Sequence, residues 1–104
     1  MKQLPKRFEK FKKDFPNVAK AYEELGTAVH KSGPLNEKTR ALIKLAISTG
    51  AGMEGAVHSH TRKALEAGCN KAEIKQTVML ALSTIGFPAT MAVMSWVEDI
   101  IEQG

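Results

Sequence analysis

Between Gln76 and Val97 the chain carries no lysine, arginine, aspartate or glutamate, and this run constrains the fold more than any other feature. An uncharged run of that length is buried, either in protein or in lipid. It is not continuous, because Ser83 and Thr84 lead into Gly86-Phe87-Pro88 and Thr90 follows. Pro88 suits the first turn of a helix and ends one arriving from before it. The run therefore reads as two buried helices joined by a tight break, not as a membrane span. Helices this apolar need other helices to cover them.

The rest of the sequence supplies those helices. No segment sustains the alternation of a strand and no internal repeat is present, so the expected class is all-α, with about six helices. The first covers residues 4–14, with Phe8, Phe11 and Phe15 on one side. The second runs from Pro16 to His30, with Val18, Ala21, Tyr22, Leu25, Ala28 and Val29 as its apolar stripe. Ser32-Gly33-Pro34 breaks the chain. Asn36 caps a third helix that ends at Gly50-Ala51-Gly52, and its apolar positions cover most of its circumference. A fourth covers Met53 to Ala67 with Gly68 as its stop. Asn70 followed by Glu73 reads as a capping box that opens a fifth, over residues 71–84. The sixth starts at Pro88 and ends near Gln103. The third, fifth and sixth helices are too apolar for so short a chain to cover alone, which predicts a homo-oligomer.

With 104 residues the chain is read as one domain, 1–104, with a helical N-terminal extension over 1–34. The net charge is +4, and Lys2, Lys6, Arg7, Lys10, Lys12 and Lys13 account for much of it. Aromatic residues are few and no nucleic-acid motif accompanies the lysines, so the run reads as a solvated helix face rather than a nucleic-acid arm. The single cysteine, Cys69, excludes an intrachain disulfide and suits a reducing cytoplasm. No apolar leader core precedes the first helix, so a cytoplasmic location is expected.

The segment Met53-Glu54-Gly55-Ala56-Val57-His58-Ser59-His60 holds the densest group of titratable side chains. Glu54 and His58 are four apart and share a helix face, so the carboxylate can orient the imidazole or share a metal ion with it. A third ligand would then come from His30 or a neighbouring subunit. His60 points away from His58. It shares its side with Met53, Ala56, Val57, Ala64 and Ala67, and burial among these small groups is expected. An imidazole with access to a small pocket can move protons near neutral pH. Each feature also has a plain structural reading: a satisfied core histidine, and an i, i+4 surface pair.

Several segments together resemble the carboxymuconolactone decarboxylase and alkylhydroperoxidase-D superfamily. They are the run from Asn36 to Ala46, His60-Thr61-Arg62-Lys63-Ala64-Leu65-Glu66-Ala67-Gly68, Ala72-Glu73-Ile74 and Gly86-Phe87-Pro88-Ala89. Their order and spacing fit over about residues 35–100. The resemblance implies an all-α bundle, a homo-oligomer (a hexamer built as a trimer of dimers, or a trimer) and a small-molecule pocket near subunit contacts. It implies neither a nucleic-acid nor a membrane partner. The peroxidase branch of the superfamily carries a Cys-x-x-Cys pair before a histidine. That histidine falls on His60, but the cysteines fall on Met53 and Ala56, and the branch's glutamate falls near Ala41. Without two thiols no dithiol–disulfide cycle is possible.

The decarboxylase branch does not need the pair. The resemblance then implies a lyase-like enzyme acting on a small acidic or lactone substrate. His60 would be the central acid–base, Glu54 and His58 its supporting groups, and Arg40, Lys44 or Arg62 the substrate-carboxylate holders. No cofactor is implied; a metal at Glu54 and His58 is the alternative to none. The other readings are a non-enzymatic small-ligand or metal-binding oligomer, and a residual peroxidase activity through Cys69.

Overall fold

The computed structural model describes residues 6–102. Lys2, the start of the expected first helix at Leu4, and Gln103 at the expected end of the last lie outside the described residues. Among the described residues there are seven α-helices and no strand: α1 (Lys6–Asp14), α2 (Pro16–His30), α3 (Glu37–Ala51), α4 (Glu54–Glu66), α5 (Lys71–Met79), α6 (Leu82–Ile85) and α7 (Phe87–Ile101). None is long and apolar enough to cross a membrane. The chain divides into two compact units, residues 1–34 and 35–104.

In the first unit α1 packs on α2. The rings of Phe8, Phe11 and Phe15 follow one another at centroid separations of 6.3 and 6.1 Å. Lys12 reaches Glu23 at 3.8 Å. Ala19 is the buried residue of α2. The apolar stripe expected to be this helix's packing face is not covered: Val18, Tyr22, Leu25 and Val29 are each more than half exposed. Amphipathic periodicity says that a face wants cover, and it does not say what provides it.

The second unit has one core. Leu45 from α3, Val57 and Ala64 from α4, Ile74 and Val78 from α5, and Val93, Val97 and Ile101 from α7 are buried together with Cys69. α4 packs against both α3 and α7, and α5 packs against the same two helices. The caps set the helix boundaries. The Thr39 backbone N–H donates to the Asn36 side chain at 2.9 Å, and α3 stops at Gly52, whose φ of 67° is left-handed. Asn70 and Glu73 exchange side-chain and backbone hydrogen bonds of 2.8 and 2.9 Å, the reciprocal box expected at the start of α5.

The expected fifth helix over 71–84 is two helices. α5 ends at Met79, and the Ala81 N–H turns back to the Val78 carbonyl at 3.0 Å before α6 begins. A tightened last turn of this kind needs no glycine or proline, so no residue type marked it. α7 begins one residue earlier than expected, at Phe87, with Pro88 in its first turn. Exposed apolar side chains remain on this unit as well, among them Ile47, Leu80 and Phe87.

Candidate functional site

Three buried residues fix the rotation of α4. Val57, Thr61 and Ala64 are at 0% exposure, at the i, i+4, i+7 spacing of one inward face. At about 100° per residue, His58 lies a quarter-turn to one side of Val57 and His60 about 60° to the other. The C-terminal turn of α4 is held by Gly68, with φ at 96°, and by the Cys69 N–H donating to the Ala64 carbonyl at 2.9 Å.

On the His58 side the neighbour is α7. His58 Nε2 stands 3.0 Å from Asp99 Oδ2. An ionised carboxylate only accepts, so Nε2–H donates to it. Glu54 completes the group, and one ligand atom from each of Glu54, His58 and Asp99 lies within 4.8 Å of the others. The sequence pointed to Glu54 as the partner that orients His58; the hydrogen-bonded partner is Asp99. It also offered His30 or a neighbouring subunit as a third metal ligand; among the described residues the side chain that groups with Glu54 and His58 is Asp99. The separation of 41 residues hides this pairing from any local pattern. Glu98 and Glu102, on either side of Asp99, both lean to Lys75, at 3.8 and 3.9 Å. Arg62, half-buried, follows His58 by one turn on the same side.

On the other side of α4, His60 is half-buried rather than enclosed, with buried Ala64 and half-buried Ala56 and Ala67 around it in sequence. It is not part of the Glu54–His58–Asp99 group. Lys63 is about 60° from His60 around the helix. Lys63 acts on Lys44 of α3, whose ammonium is held below its ordinary pKa by burial first, then by the charges of Lys63 and Arg40. Arg40 is half-buried, and its Nη1 donates to the Leu35 carbonyl. Arg40 and Lys44 are one turn apart on α3, and Lys44 feels the charge of Lys63 across from α4.

Cys69 is buried, and its thiol lies 3.7 Å from the Lys38 carbonyl. Burial, then the Glu73 carboxylate, push its pKa up, against the opposing pull of Lys38. Such a thiol stays protonated and behaves as a small hydrophobe. A shallow groove of about 450 Å³ runs between α3 and α5, where Leu42, Ile43, Ala46 and Leu80 alternate with polar residues such as Thr39 and Gln76. None of Glu54, His58, His60, Arg40, Lys44 and Arg62 lines it.

Comparison with known proteins agrees with the architecture. The sequence model of the carboxymuconolactone decarboxylase family matches residues 16–99. An uncharacterised protein from Haemophilus influenzae is 33% identical over 61 residues, 59% of this chain. That match spans about half of the relative's length, 54%. The crystal structure of an apo carboxymuconolactone decarboxylase family protein from Legionella pneumophila superposes with a TM-score of 0.78 at 25% identity, covering 92% of this chain and 86% of that one. The chain therefore belongs to the carboxymuconolactone decarboxylase family.

Proposed function

We propose that the protein is a lyase-like enzyme that performs His60-dependent proton transfer on a small acidic or lactone substrate. The observation that carries this reading is the crowding of Arg40, Lys44 and Lys63 where α3 meets α4, on the side of α4 nearer His60. Lys44 is partly desolvated and is repelled by the charges of Lys63 and Arg40, and an anionic ligand would relieve that repulsion. Lys44 then holds a substrate carboxylate as a point charge, and the guanidinium of Arg40 offers its remaining N–H groups. Decarboxylation breaks the bond to the carboxylate, releases carbon dioxide and leaves an electron pair on carbon, and His60 would pass a proton to that carbon. Membership of the decarboxylase family supports the substrate class. The buried, protonated Cys69 gives no support to a thiol peroxidase reading.

The working form in this proposal is a homo-oligomer, a hexamer or trimer, in the cytoplasm. Its support is the exposed apolar stripe of α2 and the exposed Ile47, Leu80 and Phe87. The test is turnover of a panel of small acidic lactones by the parent protein, by His60→Ala and by Lys44→Met. Loss of kcat in the first variant and a raised KM in the second are expected. A panel on which the parent is inactive, or a His60→Ala variant as active as the parent, overturns the proposal.

A further inference from the structure

We propose that Glu54, His58 and Asp99 form a site for one divalent transition-metal ion of the zinc class, on the side of α4 that faces α7. The inference does not rest on the proposed activity, which uses the other side of the helix.

The donor set comes first. It is one imidazole nitrogen and two carboxylate oxygens, all within 4.8 Å of one another. Metal–ligand bonds of about 2.0–2.2 Å place neighbouring donors roughly 3–3.5 Å apart. His58 Nε2 and Asp99 Oδ2 already stand 3.0 Å apart. Glu54 is exposed, so its side chain turns in at little cost. The Nε2 lone pair becomes available to the ion once the imidazole proton moves to Nδ1.

The framework is rigid. Glu54 and His58 are one turn apart on a helix whose rotation is set by buried Val57 and Thr61. Asp99 lies between Val97 and Ile101, both in the core. Two packed helices therefore present the three ligands without a mobile loop.

Charge gives an independent argument. The protein has 15 lysines and arginines against 11 acids, and several acids take a lysine partner: Asp14, Glu23, Glu73, Glu98 and Glu102. Among the described residues no lysine or arginine forms an ion pair with Glu54 or Asp99. Lys75 engages the carboxylates on both sides of Asp99 and leaves that one to His58. Two carboxylates carry a charge that a divalent cation balances. The imidazole favours zinc and its transition-metal neighbours over magnesium or calcium. Three protein ligands leave one position for water, the pattern of an open site rather than a closed structural one.

The test is calorimetric titration of the full, tag-free chain with zinc chloride, with circular dichroism confirming that each variant is folded. One ion per chain is expected. His58→Ala and Asp99→Asn should each weaken binding at least about tenfold, and His60→Ala should leave it within about twofold. Glu54→Gln changes an exposed residue, so it folds even if His58→Ala does not, and it should weaken binding by about tenfold as well. Absence of saturable zinc binding overturns the inference. So does undiminished affinity in Glu54→Gln, or loss in His60→Ala with retention in His58→Ala. Zinc binding that persists while the lactone panel gives no turnover would remove the proposed activity and leave this site standing.

Discussion

The two sides of α4 carry the same residue type in opposite surroundings. His58 meets two carboxylates, one from its own helix and one from α7. His60 shares its side with Lys63, whose charge, like that of Arg40, acts on the partly buried Lys44 of α3. The histidines are two positions apart, yet a helix turns by about 200° over that step and gives them different neighbours. The lesson is that a histidine-rich motif on a helix is not one site. Its chemistry is set by the helices that flank it, and here one flank is anionic and the other cationic.

The comparison can be broken most severely through the core that both sides share. Leu45→Ala should cost about 2–5 kcal/mol of stability, read by chemical denaturation, and abolish zinc binding and turnover together. Survival of either function would mean that its side of α4 does not need the packed α3–α4 contact. The next effect separates the sides. His58→Ala should lower zinc affinity at least about tenfold with little change in turnover, and His60→Ala should do the reverse. If each variant damages both properties, the histidines work as one site and the contrast is wrong.

A smaller effect sharpens the anionic side. Lys75→Met releases Glu98 and Glu102 from their lysine, so zinc should bind tighter by about twofold in low salt, with the gain fading as salt is added. The smallest effect concerns Lys44. Its folded-state pKa lies below its unfolded value, so the unfolded chain binds more protons over the interval between the two. Charged Lys44 therefore costs stability at neutral pH, and that cost disappears as the pH rises through the folded pKa towards about 10.4. Lys44→Met should melt slightly above the parent at neutral pH, with the difference shrinking near about pH 10. A difference that grows with pH would contradict the cationic crowding.

Much of the fold was legible, because short-range chemistry set it. Asn36 and Asn70 announce α3 and α5 through side chains that bond three residues ahead, and Gly68 marks the end of α4 by its positive φ. The break between α5 and α6 was not legible, since Leu80 and Ala81 are ordinary helix formers and only the tightened turn stops the helix. The apolar stripe of α2 was visible as periodicity, but its exposure depends on what lies opposite. In the site, Glu54 and His58 could be paired by spacing alone. Asp99 could not, because its approach to His58 follows from α4 packing on α7, and nothing about a lone aspartate near the end of a helix signals it. The separation of His60 from His58 was readable from helix geometry. The sign of the charge around each was not.

The turn after α4 gives the protein a built-in reporter. Cys69 is the only cysteine, its side chain is in the core, and its thiol is kept in the unreactive protonated form. A thiol-directed reagent therefore meets it only when the core opens. The labelling rate of the unmodified chain then measures how often α4, α5 and α7 part, in the same way that amide exchange reports local opening. A ligand that ties α4 to α7 should slow that labelling, so Cys69 senses events at the histidines without taking part in them.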